Sequence, residues 1–194
     1  EVMDRFILDH ARESPVLDAV RRSVLRGETP GALLCVELYA DDADELPGRL
    51  EAIERDLVVR GIEARTSRAL DPAAQARIWQ LRQSSLGLSM AMKGDAKSVS
   101  FVEDTAVAPE RLRDYIARFL EIVRRHGSTT GVYAHASVGC LHVRPVVNLK
   151  TDAGVHQFEA IAKDIAELVA DVLLETPAPA KKPATAKPEA LEVH

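Results

Sequence analysis

The chain has 194 residues, 46% of them hydrophobic and 28% charged, with a net charge of −5 at pH 7. That is enough for one domain with a hydrophobic core and too little for two large ones, and the negative balance argues against a nucleic-acid or acidic-membrane partner. No apolar run approaches the roughly 18 residues of a membrane span, which excludes an integral membrane segment from the expectation.

The predicted elements follow in chain order. Val16 to Arg26 carries a helical stripe of Val16, Leu17, Val20, Val24 and Leu25, stopped by Gly27 and Pro30-Gly31. Ala32 to Ala40 is a short apolar run and reads as a strand. Asp44 to Arg60 reads as a helix closed by Gly61, and Ile62 to Ser67 as a second, weaker strand. Asp71 and Pro72 stand in N-cap and N1 order for a helix running at least to Ser85. Gly87 to Lys97 reads as its end plus a loop, and Ser98 to Glu103 as a strand. Pro109 to His126 is a helix with its apolar face on Leu112, Ile116, Phe119, Leu120 and Val123. Gly131 to Ser137 and Leu141 to Asn148 read as strands around Gly139. Val155 to Leu174 is a final helix. The pattern predicts a ferredoxin-like α+β sandwich over residues 1–175, a mostly antiparallel sheet with helices mainly on one face. Residues 176–194 hold four of the ten prolines and little that can pack, and read as a disordered Pro/Lys/Ala-rich tail.

The sharpest local feature is AHASVGCLHVRP at 134–145. His135 and His142 lie seven apart, and on one continuous strand that odd spacing would send them to opposite faces. A tight turn or bulge at Gly139 would bring both imidazoles to one point, two-thirds of a zinc or manganese site. Spacing alone favours the plainer alternative, one histidine packed and the other at the surface. Arg82 shares a helix face with Trp79 and reads either as a carboxylate clamp or as a solvated arginine. Arg144 carries the same two readings, on one strand face with His142. Cys140 reads as a small buried residue before a ligand or nucleophile. Neither it nor Cys35 has CxxC spacing, and reduced thiols in a cytoplasmic setting are the default. There is no GxGxxG, Walker loop or GxSxG.

Four blocks in order, EVMDRFIL, IWQLRQSSLGL, FVEDTAVAPERL and HASVGCLHVRP, resemble the C-terminal cap domain of FAD-linked oxidases of the vanillyl-alcohol oxidase superfamily. The branch they are most similar to is that of the D-lactate, glycolate and D-2-hydroxyglutarate dehydrogenases, and HxxxGxLHVRP is similar to the long members that also carry an iron–sulfur cluster. The resemblance implies a divalent metal, zinc or manganese, on His135 and His142, and a substrate carboxylate on Arg82. It also implies a substrate-binding lysine before the Glu-Asp turn. Val102 stands there, and Lys97, with Lys93 upstream, is the substitute. FAD would be bound mainly by a domain outside this chain, of the same or another polypeptide. The catalytic base and the remaining metal ligand would lie in a downstream Glu-His-Gly segment, so this chain reads as a fragment, inactive alone. A small 2-hydroxy acid is the implied substrate, and the implied location is cytoplasmic or peripheral at the inner membrane. The competing expectations are a non-catalytic ferredoxin-like module for ligand binding or dimerisation, and a degenerate remnant kept as an interaction domain.

Overall fold

The computed structural model describes residues 1–90 and 92–175; the expected tail falls outside them. The elements are β1 (Val2–Asp4), α1 (Arg5–His10), α2 (Pro15–Val24), β2 (Ala32–Leu34), α3 (Leu46–Val59), α4 (Pro72–Met90), β3 (Lys97–Ser98), β4 (Thr105–Ala106), α5 (Leu112–Arg125), β5 (Thr130–His135), β6 (Cys140–Val147) and α6 (Asp152–Glu175). The strands form one sheet in the order β2-β1-β5-β6-β3, with β4 also pairing β6. Every pairing is antiparallel, which makes the fold an α+β sandwich. No helix among the described residues is long and apolar enough to cross a membrane.

The β5-β6 hairpin is the spine of this sheet, and its period of two divides the molecule. Val132, Ala134, Leu141, Val143 and Val147 point to one face, where α5 and α6 cover them with Tyr115, Phe119, Ile161, Ile165 and Leu168. Tyr133 points to the other face and packs with Met3, Ile7, Leu8 and Leu81. The helical layer of α5 and α6 is thus joined on the opposite face by α1, α2 and α4, which cover the β1-β5 side. Their close approach has a local cause. Gly131 has no side chain, and a Cβ there would stand 2.6 Å from Cδ1 of Ile7.

Two predicted strands shrink and a third does not form. Of Ala32 to Ala40 only Ala32–Leu34 joins the ladder, and of Ser98 to Glu103 only Ser98 does, next to Lys97. Ile62 to Ser67 forms no strand. Side chains fix that neighbourhood instead: Arg65 donates to the carbonyls of Arg26 and Glu28 at 2.8 and 2.6 Å, and Arg68 pairs with Glu54 at 2.6 Å. The helix predicted over 44–60 forms as α3 but fully buries none of its residues. The elements absent from the sequence reading are β4 and, at the start of the chain, β1 and α1. Asp4 joins β1 to α1, its carboxylate accepting from Ile7 N at 3.0 Å as N-cap and from Val132 N at 2.9 Å across the sheet.

Candidate functional site

The hairpin loop places the two histidines. His135 ends β5, a short 3-10 turn spans Ala136–Val138, and Gly139 closes it in the left-handed region at φ +74°. The register then pairs His135 with Cys140 and Tyr133 with His142. Cross-strand partners share a face, as do residues two apart on one strand, so His135, Cys140, His142 and Arg144 all point to the Tyr133 side. The odd spacing that would separate the histidines on one strand unites them across a hairpin. Their ring centroids are 5.0 Å apart at 82°, and His142 stacks on Tyr133 at 4.6 Å.

Helix α4 brings Arg82 onto the same face. Its Cζ lies 4.6 Å from the centre of the Tyr133 ring. Asp71 starts this helix by accepting from Ala74 N at 2.8 Å. Trp79, on the same helix face, donates to Glu37 at 3.0 Å. Glu1 joins the pieces: one carboxylate oxygen accepts from Arg82 Nε at 2.8 Å and the other from His135 Nδ1 at 2.6 Å, and its side chain is only 3% exposed. Burial pushes the Glu1 carboxyl up, but Arg82 and His135 together outweigh it and hold the group below the usual carboxylate range. His142 has a carboxylate of its own, Asp104 Oδ1 at 3.0 Å from Nδ1. Asp104 sits at φ +58°, the only non-glycine residue with positive φ among those described.

His135 therefore donates Nδ1–H to an acceptor-only carboxylate, which fixes its tautomer and leaves Nε2 carrying the lone pair, and the Asp104 carboxylate close to Nδ1 of His142 favours the same tautomer there by charge. Burial holds His142 below the usual histidine value, helped by His135 and opposed by Asp104, so the ring stays neutral and able to ligate. Ligand atoms of Asp104, Cys140 and His142 also lie within 4.8 Å of one another and form a second donor group sharing His142. Burial, then Asp104, pushes the Cys140 thiol up, which disfavours the thiolate such a group requires. The chemistry of the donors thus fits a divalent ion on the imidazoles better than one on the thiol.

Arg144 lies on this face with its Cζ 5.8 Å from the Tyr133 centroid, and its Nε is paired with Glu103. Lys97 stands apart from the cluster. It lies opposite Val147, whose side chain belongs to the α5-α6 face, and its ammonium donates to the carbonyl of Met92. Val102 is buried in that same apolar cluster. The sequence reading left Glu1, Tyr133, Glu103 and Asp104 without roles. Tyr133 was accessible by parity, two residues before His135. Glu1 was not, because its partners are 81 and 134 residues away.

Residues 1–172 match the family described as FAD linked oxidases, C-terminal domain. D-2-hydroxyglutarate dehydrogenase of Escherichia coli (strain K12) is 33% identical over 181 residues, covering 88% of this chain and 17% of that protein. The enzyme of the same name from Haemophilus influenzae is 30% identical over 176 residues, covering 87% of this chain. That from Pantoea ananatis is 31% identical over 179 residues, covering 88%. The chain spans 17% of the length of these curated relatives. The order of the matching blocks and the extent of the match lead to one conclusion: this chain belongs to the C-terminal domain family of the FAD linked oxidases.

Proposed function

We propose that this chain is the substrate-side part of an FAD-dependent dehydrogenase of D-2-hydroxy acids, with Arg82 taking the substrate carboxylate and His135 and His142 holding a divalent ion, zinc or manganese. The observation that carries this is the convergence of residues 82, 135 and 142 on one face, with a carboxylate close to Nδ1 of each imidazole. That the relatives are named for a 2-hydroxy acid supports the substrate class.

Arg82 binds and orients. Glu1 occupies its Nε and leaves its two terminal nitrogens, the pair suited to gripping a carboxylate end-on. Glu1 keeps His135 in the ligating tautomer through its hydrogen bond, and the charge of Asp104 beside Nδ1 favours the same tautomer at His142. Tyr133 packs against both Arg82 and His142. A divalent ion held there would make the substrate hydroxyl more acidic, and FAD, bound outside these residues, would accept the α-hydrogen as hydride. The hydroxyl proton goes to a base expected outside this chain, and the product is the 2-oxo acid. Lys97 remains a proposed further contact to substrate, one that needs the Met92 carbonyl to release it.

The test is steady-state kinetics of the FAD-loaded enzyme containing this chain. Arg82→Ala is expected to raise KM and to lower kcat/KM by about 2–3 kcal/mol, the scale of a lost charge-assisted contact. Arg82→Lys keeps the charge but not the fork and is expected to recover only part of it. Unchanged kinetics in both variants would remove Arg82 from the site. The metal is tested separately by titrating this chain with Zn²⁺. Binding is expected to be weak, to fall as pH drops and the imidazoles protonate, and to vanish in His135→Ala and in His142→Ala. Binding that both variants retain would overturn the ligand assignment.

A further inference from the structure

We propose that Asp104, Cys140 and His142 form a second cation site, one for a large thiophilic divalent ion such as cadmium, and that an ion bound there takes His142 from the ion on the histidine pair. The site stands on geometry; its effect on the enzyme rests on His135 and His142 holding an ion.

The ladder builds the group. β4 pairs with β6 so that Thr105 faces Leu141 and Ala106 faces Cys140, and Asp104 N donates to the Leu141 carbonyl at 3.0 Å. This register sets Asp104 beside His142, with Oδ1 3.0 Å from Nδ1. Cys140 and His142 lie two apart on one strand and share a face. One ligand atom from each of the three lies within 4.8 Å of the others, the one such group of three donors among the described residues. Backbone pairing on two adjacent strands therefore holds a thiol, an imidazole and a carboxylate at one point. The group is open to an incoming ion, because the Asp104 side chain is 76% exposed while His142 is 16% exposed.

Spacing and softness select the ion. Around a tetrahedral zinc with bonds of about 2.0–2.3 Å, the donors stand roughly 3.3–3.8 Å apart. Donors within 4.8 Å of one another admit a larger ion with longer bonds. The thiol points the same way. A soft cation displaces the thiol proton to solvent and binds the thiolate, whereas a hard one such as Mn²⁺ is served better by imidazole and carboxylate. One thiolate and one carboxylate then balance the charge of a divalent ion. The consequence for the histidine pair follows from the imidazole itself. A neutral ring has a single lone pair, so His142 serves one ion at a time. Cadmium on Cys140 and Asp104 therefore competes with the ion shared by His135 and His142.

The test titrates this chain with Cd²⁺ and follows the ultraviolet charge-transfer band of a cadmium thiolate. Cys35→Ser is the parent, because it leaves Cys140 as the single thiol of the chain. The parent is expected to develop the band at one equivalent. Asp104→Ala and His142→Ala should each weaken cadmium by about tenfold or more, since even the partners behind a ligand contribute that much. His135→Ala should leave it within about threefold. Circular dichroism checks that each variant is folded, and Asp104→Asn, which keeps the size of the side chain, stands in for Asp104→Ala if that variant unfolds. Competition is read on the FAD-loaded enzyme containing this chain, charged with Mn²⁺, by the electron paramagnetic resonance of released Mn²⁺. Cys140→Ser is expected to raise the cadmium concentration needed for release about tenfold or more. The proposal is overturned by a parent without the band, or by a band indifferent to Asp104 and His142, which would be a bare thiol adduct. A loss in His135→Ala equal to that in His142→Ala, or release that ignores Cys140→Ser, would overturn it as well. Mn²⁺ binding that ignores His135→Ala would instead overturn the reading of the histidine pair and leave the cadmium site standing.

Discussion

Gly139→Ala is expected to destabilise the chain by about 2–5 kcal/mol, lowering its melting temperature by roughly 10 °C. Two costs combine. The residue sits at φ +74°, where an L side chain is strained by about 1–2 kcal/mol. A Cβ there would also stand 1.8 Å from the carbonyl oxygen of Val107, which is backbone and cannot swing aside. Val107 N donates to the Gly139 carbonyl at 3.1 Å, so relief of the clash must pull the 105–109 segment off the end of β6. That segment begins beside Asp104, whose carboxylate lies 3.0 Å from Nδ1 of His142. Loss of stability should therefore be accompanied by loss of Zn²⁺ binding. Thermal and urea unfolding of the variant measure the effect, and a change below about 1 kcal/mol would show that the segment relaxes freely.

How much of this was legible beforehand depends on the range of the interactions involved. The long helices were readable because their apolar faces repeat at helical spacing: Ile161, Ile165, Leu168 and Val172 fall inside the core as the pattern requires. Helix α5 was read with a small rotation, since Leu120 is 36% exposed while Tyr115 and Ile122 are buried. Short strands were the weak point. Apolar runs such as Ile62 to Ser67 have strand composition, but a ladder needs a neighbour, and the neighbour is set by topology. The histidine pair was half legible. Gly139 signalled a turn, but whether seven residues separate or unite two imidazoles depends on one continuous strand becoming two paired ones. Glu1 was illegible, because a carboxylate gains its role only from partners distant in sequence, here 81 and 134 residues away.

Glu1→Ala is expected to cost about 3 kcal/mol of stability, more than any contact it makes would contribute alone. The reason is what stays behind. Arg82 would remain 13% exposed with no carboxylate at its Nε, and His135 would lose the acceptor that fixes its ring. Breaking a buried ion pair from one side leaves an uncompensated charge, whereas replacing both partners with apolar groups of similar volume does not. The double variant Glu1→Leu/Arg82→Met should accordingly be closer to the wild type than Glu1→Ala is. The pH dependence gives a second handle. The folded carboxyl of Glu1 lies below its ordinary value of 4.5. Its contribution is thus complete above that value, and is lost as pH falls through the lower, folded one. The gap in unfolding free energy between wild type and Glu1→Gln should therefore narrow as the pH is lowered from 6 towards 3, the region of ordinary carboxylate titration. A gap that stays constant over that range would mean that Arg82 and His135 do not stabilise an ionised Glu1, and the bridge between α4 and β5 would have to be held by the stacking of Arg82 on Tyr133 alone.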